Sequence, residues 1–598
     1  MKNKASETVP ALSANAVYIL KKRYLMRDKR GRVNETPAGM LRRVSSVVAS
    51  AETRYGRLAD AKSWEEAFFG IMSRLEFLPN SPTLLNAGRF SGQMSSCFVL
   101  PVGDSSSSVE TSVEEAILVH KSGGGTGFNL SRLQPRDGKN NKIEQDGPTS
   151  FLAPISAATA AVKQGGIRMG CNSATLDVHH PDIMAYIHTK NTRSALPNFY
   201  LSVGVTSEFM GAVTADQPYN LIDPATGKTV RTLRAKAVFD EIVEQTWTTG
   251  DPGLLFLDRI QADNPVPKLG DIEGVSGCGE QMLLKYESCN LGSINLARML
   301  DDKTPPRLDY AKLSKTVRLA VRFLDDVIDV NKYPLPAIAS GTLKTRKIGL
   351  GVMGFADMLA RLGIPYDSSS AVALAEKIMG FINYEAHLAS ESLGTEKGVF
   401  PAYKGSVYDR AKRPMRNASC TTIAPTGTIS LLAGCSNGIE PFFALIYMRR
   451  IRSGHNLLEV NNEFIHAAER CGLYPERIVK RLSQGETLGD IPEVPAEMRR
   501  LFATASEIEA TWHVAIQAAF QRHVDNAVSK TVNLPSDATR SEIADIYIEA
   551  YNLGLKGITI YRDRSRGKQP LEGHINPALL ADYLQTMAGN SGEACYPG

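Results

Sequence analysis

The chain has 598 residues and a mass of 65.0 kDa, so it is too long for one ordinary hydrophobic core and predicts a large multi-layer domain with a smaller accessory domain. Its 68 basic and 63 acidic residues nearly balance, which argues against a dedicated nucleic-acid surface. No uncharged apolar run of about 18 residues and no secretory signal occur, so we expect a cytoplasmic protein without a membrane span. The eight cysteines form no CxxC pair and predict neither a disulfide framework nor a zinc site.

Residues 12–77 are predicted to be helical, because apolar residues recur every three or four positions in AVYILKKRYLM, MLRRVSSVVASAE and WEEAFFGIMSRL. From LPNSPTLLNAG onward, short apolar runs punctuated by glycine alternate with helical stretches, which favours an α/β architecture. We therefore divide the chain into an N-terminal helical domain (1–78), an α/β domain (79–568) and a C-terminal tail (569–598), which we expect to be flexible.

Residues 276–297, SGCGEQMLLKYESCNLGSINLA, carry the most informative chemistry of the chain. Cys278 stands two residues before Glu280, and Cys289 follows closely. A thiol beside a carboxylate suits thiol redox or radical chemistry. A cysteine packed merely as a small apolar residue gives the same spacing. The spacing alone therefore leaves both interpretations open.

Two further segments contain glycine in patterns that are typical of nucleotide sites. GLGVMG at 349–354 fits the dinucleotide fingerprint, but the polar residues SGTLKTRKI before it do not resemble a strand, so we interpret it as close packing at a strand-to-helix turn. PTGTIS at 425–430 offers hydroxyls and a glycine ahead of a possible helix, where backbone N–H groups favour anions. Ser81 and Ser96 are candidates for further hydroxyl contacts.

Eight segments occur in the order typical of one enzyme family: NSPTLLNAG, SSCFVLPV, SGGGTGFNLSRL, AVKQGG, SCNLGSINLA, IGLGVMGFADML, IAPTGTISLLAG and KGITIYRDRSR. On these motifs the chain resembles the catalytic subunit of ribonucleotide reductases, most closely the adenosylcobalamin-dependent class. The resemblance implies a ten-stranded α/β barrel of two five-stranded halves after a helical N-terminal domain. A finger loop through its centre would present Cys278 to the substrate.

The resemblance also implies the chemistry, which is reduction of ribonucleoside diphosphates to 2′-deoxyribonucleoside diphosphates. Cys278 would be the thiyl radical that abstracts the 3′-hydrogen, Glu280 the base on the 3′-hydroxyl, and Ser276 a neighbouring catalytic position. Cys97 and Cys289 would be the redox pair that closes into a disulfide in each turnover. The implied substrate contacts are Ser81, Ser96, Gly125, Pro425, Thr426, Gly427, Thr428 and Ile429, and the implied effector-loop residues are Arg168, Cys171 and Asn172.

The implied cofactor is adenosylcobalamin, and no metal ligands are assigned. The implied partners are a deoxynucleotide effector, a thioredoxin-like reductant and a second copy of the chain in a homodimer, with neither nucleic acid nor membrane. No adjacent tyrosines occur and Tyr561 stands alone in TIYRDRSR, which favours cobalamin over a radical-generating partner subunit. A class I subunit that needs such a partner, and a diverged nucleotide-binding paralogue without turnover, are the alternatives.

The sequence departs from the family pattern near the radical cysteine. Ser276 and Gly277 stand where asparagine and proline are usual, and Cys171 stands in the specificity loop where alanine is usual. A hydroxyl at 276 retains a hydrogen-bond donor but has less reach than an amide. The tail contains Cys595 alone, where a cysteine pair is common, so the internal resolving thiol for the Cys97–Cys289 disulfide is not evident.

Overall fold

The computed structural model of the protein describes residues 12–56, 58–103, 106–136, 147–164, 168–169, 171–191, 196–450, 456–565, 571–572 and 575–590. The strands are β1 (Phe77–Pro79), β2 (Cys97–Val99), β3 (Gly125–Asn129), β4 (Lys163–Gln164), β5 (Arg168–Met169), β6 (Asn172–Asp177), β7 (Phe199–Val205), β8 (Pro218–Ile222), β9 (Thr229–Arg234), β10 (Gly253–Phe256), β11 (Gly274–Val275), β12 (Met282–Leu283), β13 (Ser288–Asn295), β14 (Ile348–Met353), β15 (Ile446–Arg450), β16 (Asn456–Val460), β17 (Thr531–Leu534), β18 (Gly557–Arg562) and β19 (Leu571–Glu572).

The α-helices are α1 (Ala14–Ile19), α2 (Pro37–Ala49), α3 (Leu58–Ser73), α4 (Ser81–Asn86), α5 (Ser106–Ser122), α6 (Leu152–Ala161), α7 (Ile183–Ile187), α8 (Ser207–Thr214), α9 (Ala235–Thr249), α10 (Leu257–Ala262), α11 (Tyr310–Val330), α12 (Pro336–Thr345), α13 (Phe355–Arg361), α14 (Ser369–Lys397), α15 (Val407–Arg410), α16 (Ile429–Ala433), α17 (Asn462–Arg470), α18 (Pro475–Ser483), α19 (Ala496–Leu501), α20 (Ala510–Gln521), α21 (Arg540–Asn552) and α22 (Pro577–Asn590). Within the described residues, no helix is both long enough and apolar enough to cross a membrane.

The helical N-terminal region is confirmed. Thr36 caps α2 by accepting the Gly39 N–H at 3.0 Å, and Pro37 at the first helical position presets the backbone angle. The apolar face of α2 buries Val44 and packs on α3, where Phe68 is buried. Full burial of each such side chain contributes about 1.5–3 kcal/mol, so the helices are held mainly by this shared core.

The first half of the barrel is a parallel sheet of five strands in the order β2-β3-β6-β7-β10. Parallel neighbours require crossover connections, and α5, α6, α7 and α9 lie in the segments between these strands. The second half starts with the parallel pair β13 and β14. Two isolated parallel β-bridges continue this half, one between Leu350 and Thr421 and one between Ile423 and Val528. After Val528 the chain enters β17, which pairs in parallel with β18.

Antiparallel pairs join the two halves at both edges, β10 with β18 and β2 with β13. The mixed sheet of ten named strands is therefore closed through residues 421–423, which confirms the predicted barrel of two five-stranded halves. Strand β1 adds to β13 in the antiparallel sense. Closure brings the strands that carry Cys97 and Cys289 side by side, although these two cysteines lie far apart in the sequence.

The GLGVMG motif forms a close-packed passage from a strand to a helix, as interpreted, and its last glycine, Gly354, is the N-cap of α13. The motif lies in β14, whose residues are all buried, and the polar residues before it belong largely to α12. A Cβ atom at Gly349 would lie 2.6 Å from Gln281 Nε2, so the glycine allows a second segment to pass against the strand. Its glycine is therefore required for close approach inside the barrel.

The structure differs from the expected flexible tail. Strand β19 pairs with β15, and α22 follows it. Ile575 is buried, and Leu580 and Leu584 of α22 pack on the cluster that contains Phe464. Apolar side chains four positions apart give α22 a buried face. Cys595 lies outside the described residues.

Candidate active site

Residues 276–281 form a loop between β11 and β12, which pair with each other in the antiparallel sense. The Ser276 N–H donates to the Gln281 carbonyl at 2.9 Å and closes the base of the loop. Ser173 of β6 donates its hydroxyl to the last carbonyl of β11 at 2.7 Å, and Thr422 donates to the Glu280 carbonyl at 2.7 Å. Because β6 and residues 421–423 belong to different halves of the barrel, this loop spans the interior and is the predicted finger loop.

Cys278 stands at the tip of the finger loop and its side chain is exposed. Because the finger loop spans the barrel, the thiol opens onto the barrel interior. A hydrogen bond with the Cys171 thiol, burial and the nearby Glu280 charge together raise the pKa of Cys278 well above its ordinary value. At neutral pH the sulfur therefore retains its hydrogen.

Glu280 is the buried carboxylate of the site, with 3% of its surface exposed. Its Oε1 accepts a hydrogen bond from Cys97 Sγ at 3.5 Å, and its Oε2 accepts one from Ser276 Oγ at 3.2 Å. Burial raises the pKa of Glu280 above its ordinary value, although both hydrogen bonds oppose the change. A carboxyl whose pKa is raised toward neutrality is suited to accept and return a proton.

Cys97 and Cys289 lie directly opposite each other in the antiparallel pair of β2 and β13. Side chains in this position have Cβ atoms about 4.5–5.5 Å apart, which is close to the span of a disulfide. Burial is the main cause that raises the pKa of both thiols well above the ordinary value. The pair is therefore held as protonated thiols, in register to form a disulfide.

A buried ion pair beside Cys289 was missed by the sequence analysis. Lys347 Nζ donates to Glu287 Oε2 at 2.7 Å, and Thr345 donates to the other oxygen of Glu287 at 2.5 Å. The Cys289 thiol donates to the Lys347 carbonyl at 3.5 Å. The Lys347 charge opposes the raised pKa of Cys289, whereas the Glu287 charge adds to it. The only sequence signal was an acidic residue two positions before the cysteine, which is too common to be informative.

The predicted contacts Ser96 and Gly125 adjoin the redox pair. Gly125 is the β-sheet partner of Cys97, and its N–H donates to the Ser96 carbonyl at 2.9 Å. Ser96 is half-buried. Ser81 begins α4, and its hydroxyl accepts a hydrogen bond from Tyr24 at 2.8 Å. The barrel thus places Ser96 and Gly125 beside Cys97, while Ser81 is held by the helical region.

Residues 425–429 follow the strand-like segment 421–423 and lead into α16. Thr426 adopts a left-handed backbone angle of 52°, and its hydroxyl accepts the Gly438 N–H at 2.7 Å. Gly427 is exposed and Thr428 is half-buried, so the turn opens outward, whereas Ile429 is buried. A cavity of about 650 Å³ adjoins this turn at Pro425.

The predicted effector loop is described only in part. Arg168 lies in β5, which pairs with β4, and its side chain as well as residues 165–167 and 170 lie outside the described structure. Asn172 is fully buried, and its amide donates to Thr159 at 2.9 Å, so it anchors the base of the loop. Cys171 points toward the finger loop, where its thiol donates to the Gly277 carbonyl at 3.7 Å.

Two family models match this chain. The model described as "Ribonucleotide reductase, barrel domain" matches residues 95–415 and 409–561, and "Ribonucleotide reductase, all-alpha domain" matches residues 11–92. The chain belongs to the ribonucleotide reductase family. The second match agrees with the helical region that precedes the reductase barrel.

Among curated members of the ribonucleotide reductase family, the chain is similar to the vitamin B12-dependent ribonucleoside-diphosphate reductase of Thermoplasma acidophilum, with 44% identity over 94% of this chain and 80% of that protein. It is 46% identical to the protein of the same name from Mycobacterium tuberculosis, over 98% of this chain and 84% of the relative. It is 27% identical to the ribonucleoside-diphosphate reductase subunit alpha of Chlamydia pneumoniae, over 85% of this chain and 55% of that protein.

Proposed function

We propose that the protein is an adenosylcobalamin-dependent reductase that converts ribonucleoside diphosphates to 2′-deoxyribonucleoside diphosphates. The observation that carries the proposal is the grouping of four side chains. The finger loop holds Cys278 next to Glu280, Glu280 accepts a hydrogen bond from Cys97, and Cys97 lies opposite Cys289. Relatives named as vitamin B12-dependent range from 29% to 46% identity, and the two at 44% and 46% stand well above the 27% of the subunit alpha, which favours cobalamin over a radical-generating partner.

The cavity beside residues 425–429 supports the proposed cofactor. Asparagine amides are frequent in its lining, and Phe442 and Phe443 add apolar surface. Cobalamin carries many amide groups around a flat apolar ring, so an amide-rich wall with aromatic side chains suits it chemically. The asparagines that line the cavity are Asn15, Asn437, Asn456, Asn461, Asn462 and Asn533, although Asn15, Asn437, Asn461 and Asn533 also make hydrogen bonds within the protein.

Adenosylcobalamin, when bound, supplies the homolysis that generates the thiyl radical at Cys278. Cys278 can serve as a hydrogen-atom carrier because its raised pKa keeps the sulfur protonated before the reaction. Glu280 is placed to take the proton of the 3′-hydroxyl once Cys278 has removed the 3′-hydrogen. Loss of the 2′-hydroxyl as water then requires one further proton, which the Cys97 thiol is placed to supply.

The two electrons for the reduction come from Cys97 and Cys289. Their two S–H bonds are lost, one S–S bond forms, and the C2′–OH bond of the substrate is replaced by C2′–H with release of water. The hydrogen atom then returns from Cys278 to C3′, which restores the radical.

We propose the same partners and boundaries as the sequence analysis. A thioredoxin-like dithiol would reduce the Cys97–Cys289 disulfide, and a deoxynucleotide would bind near the loop that leads to Cys171. A second copy of the chain would complete a homodimer. The proposed domains are 1–78, 79–568 and a C-terminal segment from 569.

Anaerobic conversion of CDP to dCDP with adenosylcobalamin, a dithiol and a panel of deoxynucleotides tests the proposal. We expect dCDP only when the cofactor is present, and none from Cys278→Ala. Product formation without cobalamin, or by Cys278→Ala, would contradict the assignment. Binding of CDP without any product would support the alternative of a paralogue that has lost turnover.

A further inference from the structure

Cys171 lies against the tip of the finger loop, next to the radical cysteine. Its thiol is hydrogen-bonded with the thiol of Cys278 and donates to the Gly277 carbonyl at 3.7 Å. Both cysteines are in the reduced form, Cys278 is exposed and Cys171 is partly exposed. Neither the proposed reduction of ribonucleotides nor the Cys97–Cys289 pair uses this second thiol.

The residues around Cys278 make room for the contact. A Cβ atom at Gly277 would lie 2.8 Å from Cys171 Sγ, so any side chain at 277 would displace the thiol. Gly279 on the other side has a backbone φ of 85° and no heavy atom within 4 Å of where its Cβ would be. Cys278 is therefore flanked by two glycines, and neither neighbour in the sequence places a side chain between it and Cys171.

We propose that Cys171 and Cys278 form a reversible disulfide that stores the enzyme in a protected, inactive form under oxidising conditions. Hydrogen peroxide is the oxidant: it accepts two electrons, both thiols lose their hydrogens, one S–S bond forms and two molecules of water are released. A dithiol reverses the step by thiol–disulfide exchange. The loss of turnover rests on the proposed function, because Cys278 without its hydrogen cannot become the radical carrier.

Accessibility separates this disulfide from the one expected in turnover. Cys97 and Cys289 are 5% and 0% exposed, whereas Cys278 is exposed and Cys171 is partly exposed. A small oxidant therefore has access to the Cys171–Cys278 pair that it lacks to the buried pair, and its reaction is slow because the raised pKa of Cys278 leaves little thiolate. Without Cys171, the sulfenic acid formed on Cys278 loses the thiol that lies against it and proceeds more readily to the irreversible sulfinic acid.

Peptide mapping tests the proposal on the full chain without cobalamin or nucleotide. After peroxide treatment, alkylation and trypsin, Cys171 lies in the peptide 169–190, Cys278 in 269–285, Cys97 in 90–121 and Cys289 in 286–298. We expect 169–190 cross-linked to 269–285, with the loss of two hydrogens, before any link between 90–121 and 286–298. A dithiol should release the cross-link.

The variants provide the controls. Cys171→Ser should abolish the cross-link and leave Cys278 as sulfinic acid, whereas Cys471→Ser, which changes an exposed cysteine elsewhere, should leave the cross-link intact. The proposal is overturned if wild-type protein gives only the link between 90–121 and 286–298, or if Cys278 becomes sulfinic acid to the same extent with and without Cys171. Because these readouts are chemical, an inactive reductase would not obscure them.

Discussion

Ser276→Ala is expected to weaken the proposed base without removing it. Ser276 donates the hydrogen bond that Glu280 Oε2 accepts at 3.2 Å, and both residues are buried. A hydrogen bond to a charged group is worth about 1.5–3 kcal/mol, which corresponds to about a ten- to hundredfold change in the ionisation equilibrium. Because the bond stabilises the charged carboxylate, its loss raises the pKa of Glu280 further. The rising limb of the pH profile should therefore move to higher pH.

The assay is kcat/KM for CDP as a function of pH, measured with saturating cobalamin and dithiol. At a pH on the rising limb, Ser276→Ala should fall by about the same ten- to hundredfold factor, and the loss should shrink as the pH increases. Ser45→Ala is the matched control, because that buried hydroxyl donates only to a carbonyl of its own helix, at 2.9 Å. A uniform loss at every pH, or an unmoved limb, would refute the assigned role of Glu280. Ser276→Asn should retain the activity.

Two further changes test the surroundings of the site. Lys347→Met should leave Glu287 charged and buried without its partner and destabilise the protein by about 3–5 kcal/mol, which a lower denaturation midpoint would show. The control Lys236→Met, at an exposed lysine, should change the midpoint little. Equal midpoints for the two variants would contradict the buried pair. Gly277→Ala should lower the free energy of unfolding by about 1–3 kcal/mol, because the added methyl group would overpack against Cys171. Adding Cys171→Ala should recover most of that loss. Additive effects in the double variant would show that the two positions do not touch.

The order of the motifs was enough to predict the barrel, but its closure depends on pairings that no local pattern contains. The bridge from Ile423 to Val528 joins segments more than a hundred residues apart, and its bridging segment is too short to read as a strand. The opposition of Cys97 and Cys289 likewise follows from strand order. Periodicity within about ten residues carries no information on such long-range register.

Local signals were sufficient in two places. The polar composition of SGTLKTRKI predicts that it is not the strand a dinucleotide fold needs before GLGVMG, and residues 340–345 indeed belong to α12. The apolar residues Leu580 and Leu584 stand four positions apart in the predicted tail, and this spacing was sufficient to predict α22. The contact between Cys171 and Cys278 had no such signal, because the barrel alone brings the two segments together.

The most direct test of the central claim is a single-turnover experiment without external dithiol. Enzyme with prereduced cysteines, adenosylcobalamin and CDP should form about one dCDP per active site and then stop, because Cys97 and Cys289 supply only two electrons. Peptide mapping should then show the link between 90–121 and 286–298, and Cys278→Ala should form neither product nor link. Formation of dCDP without that disulfide, or by Cys278→Ala, would contradict the account.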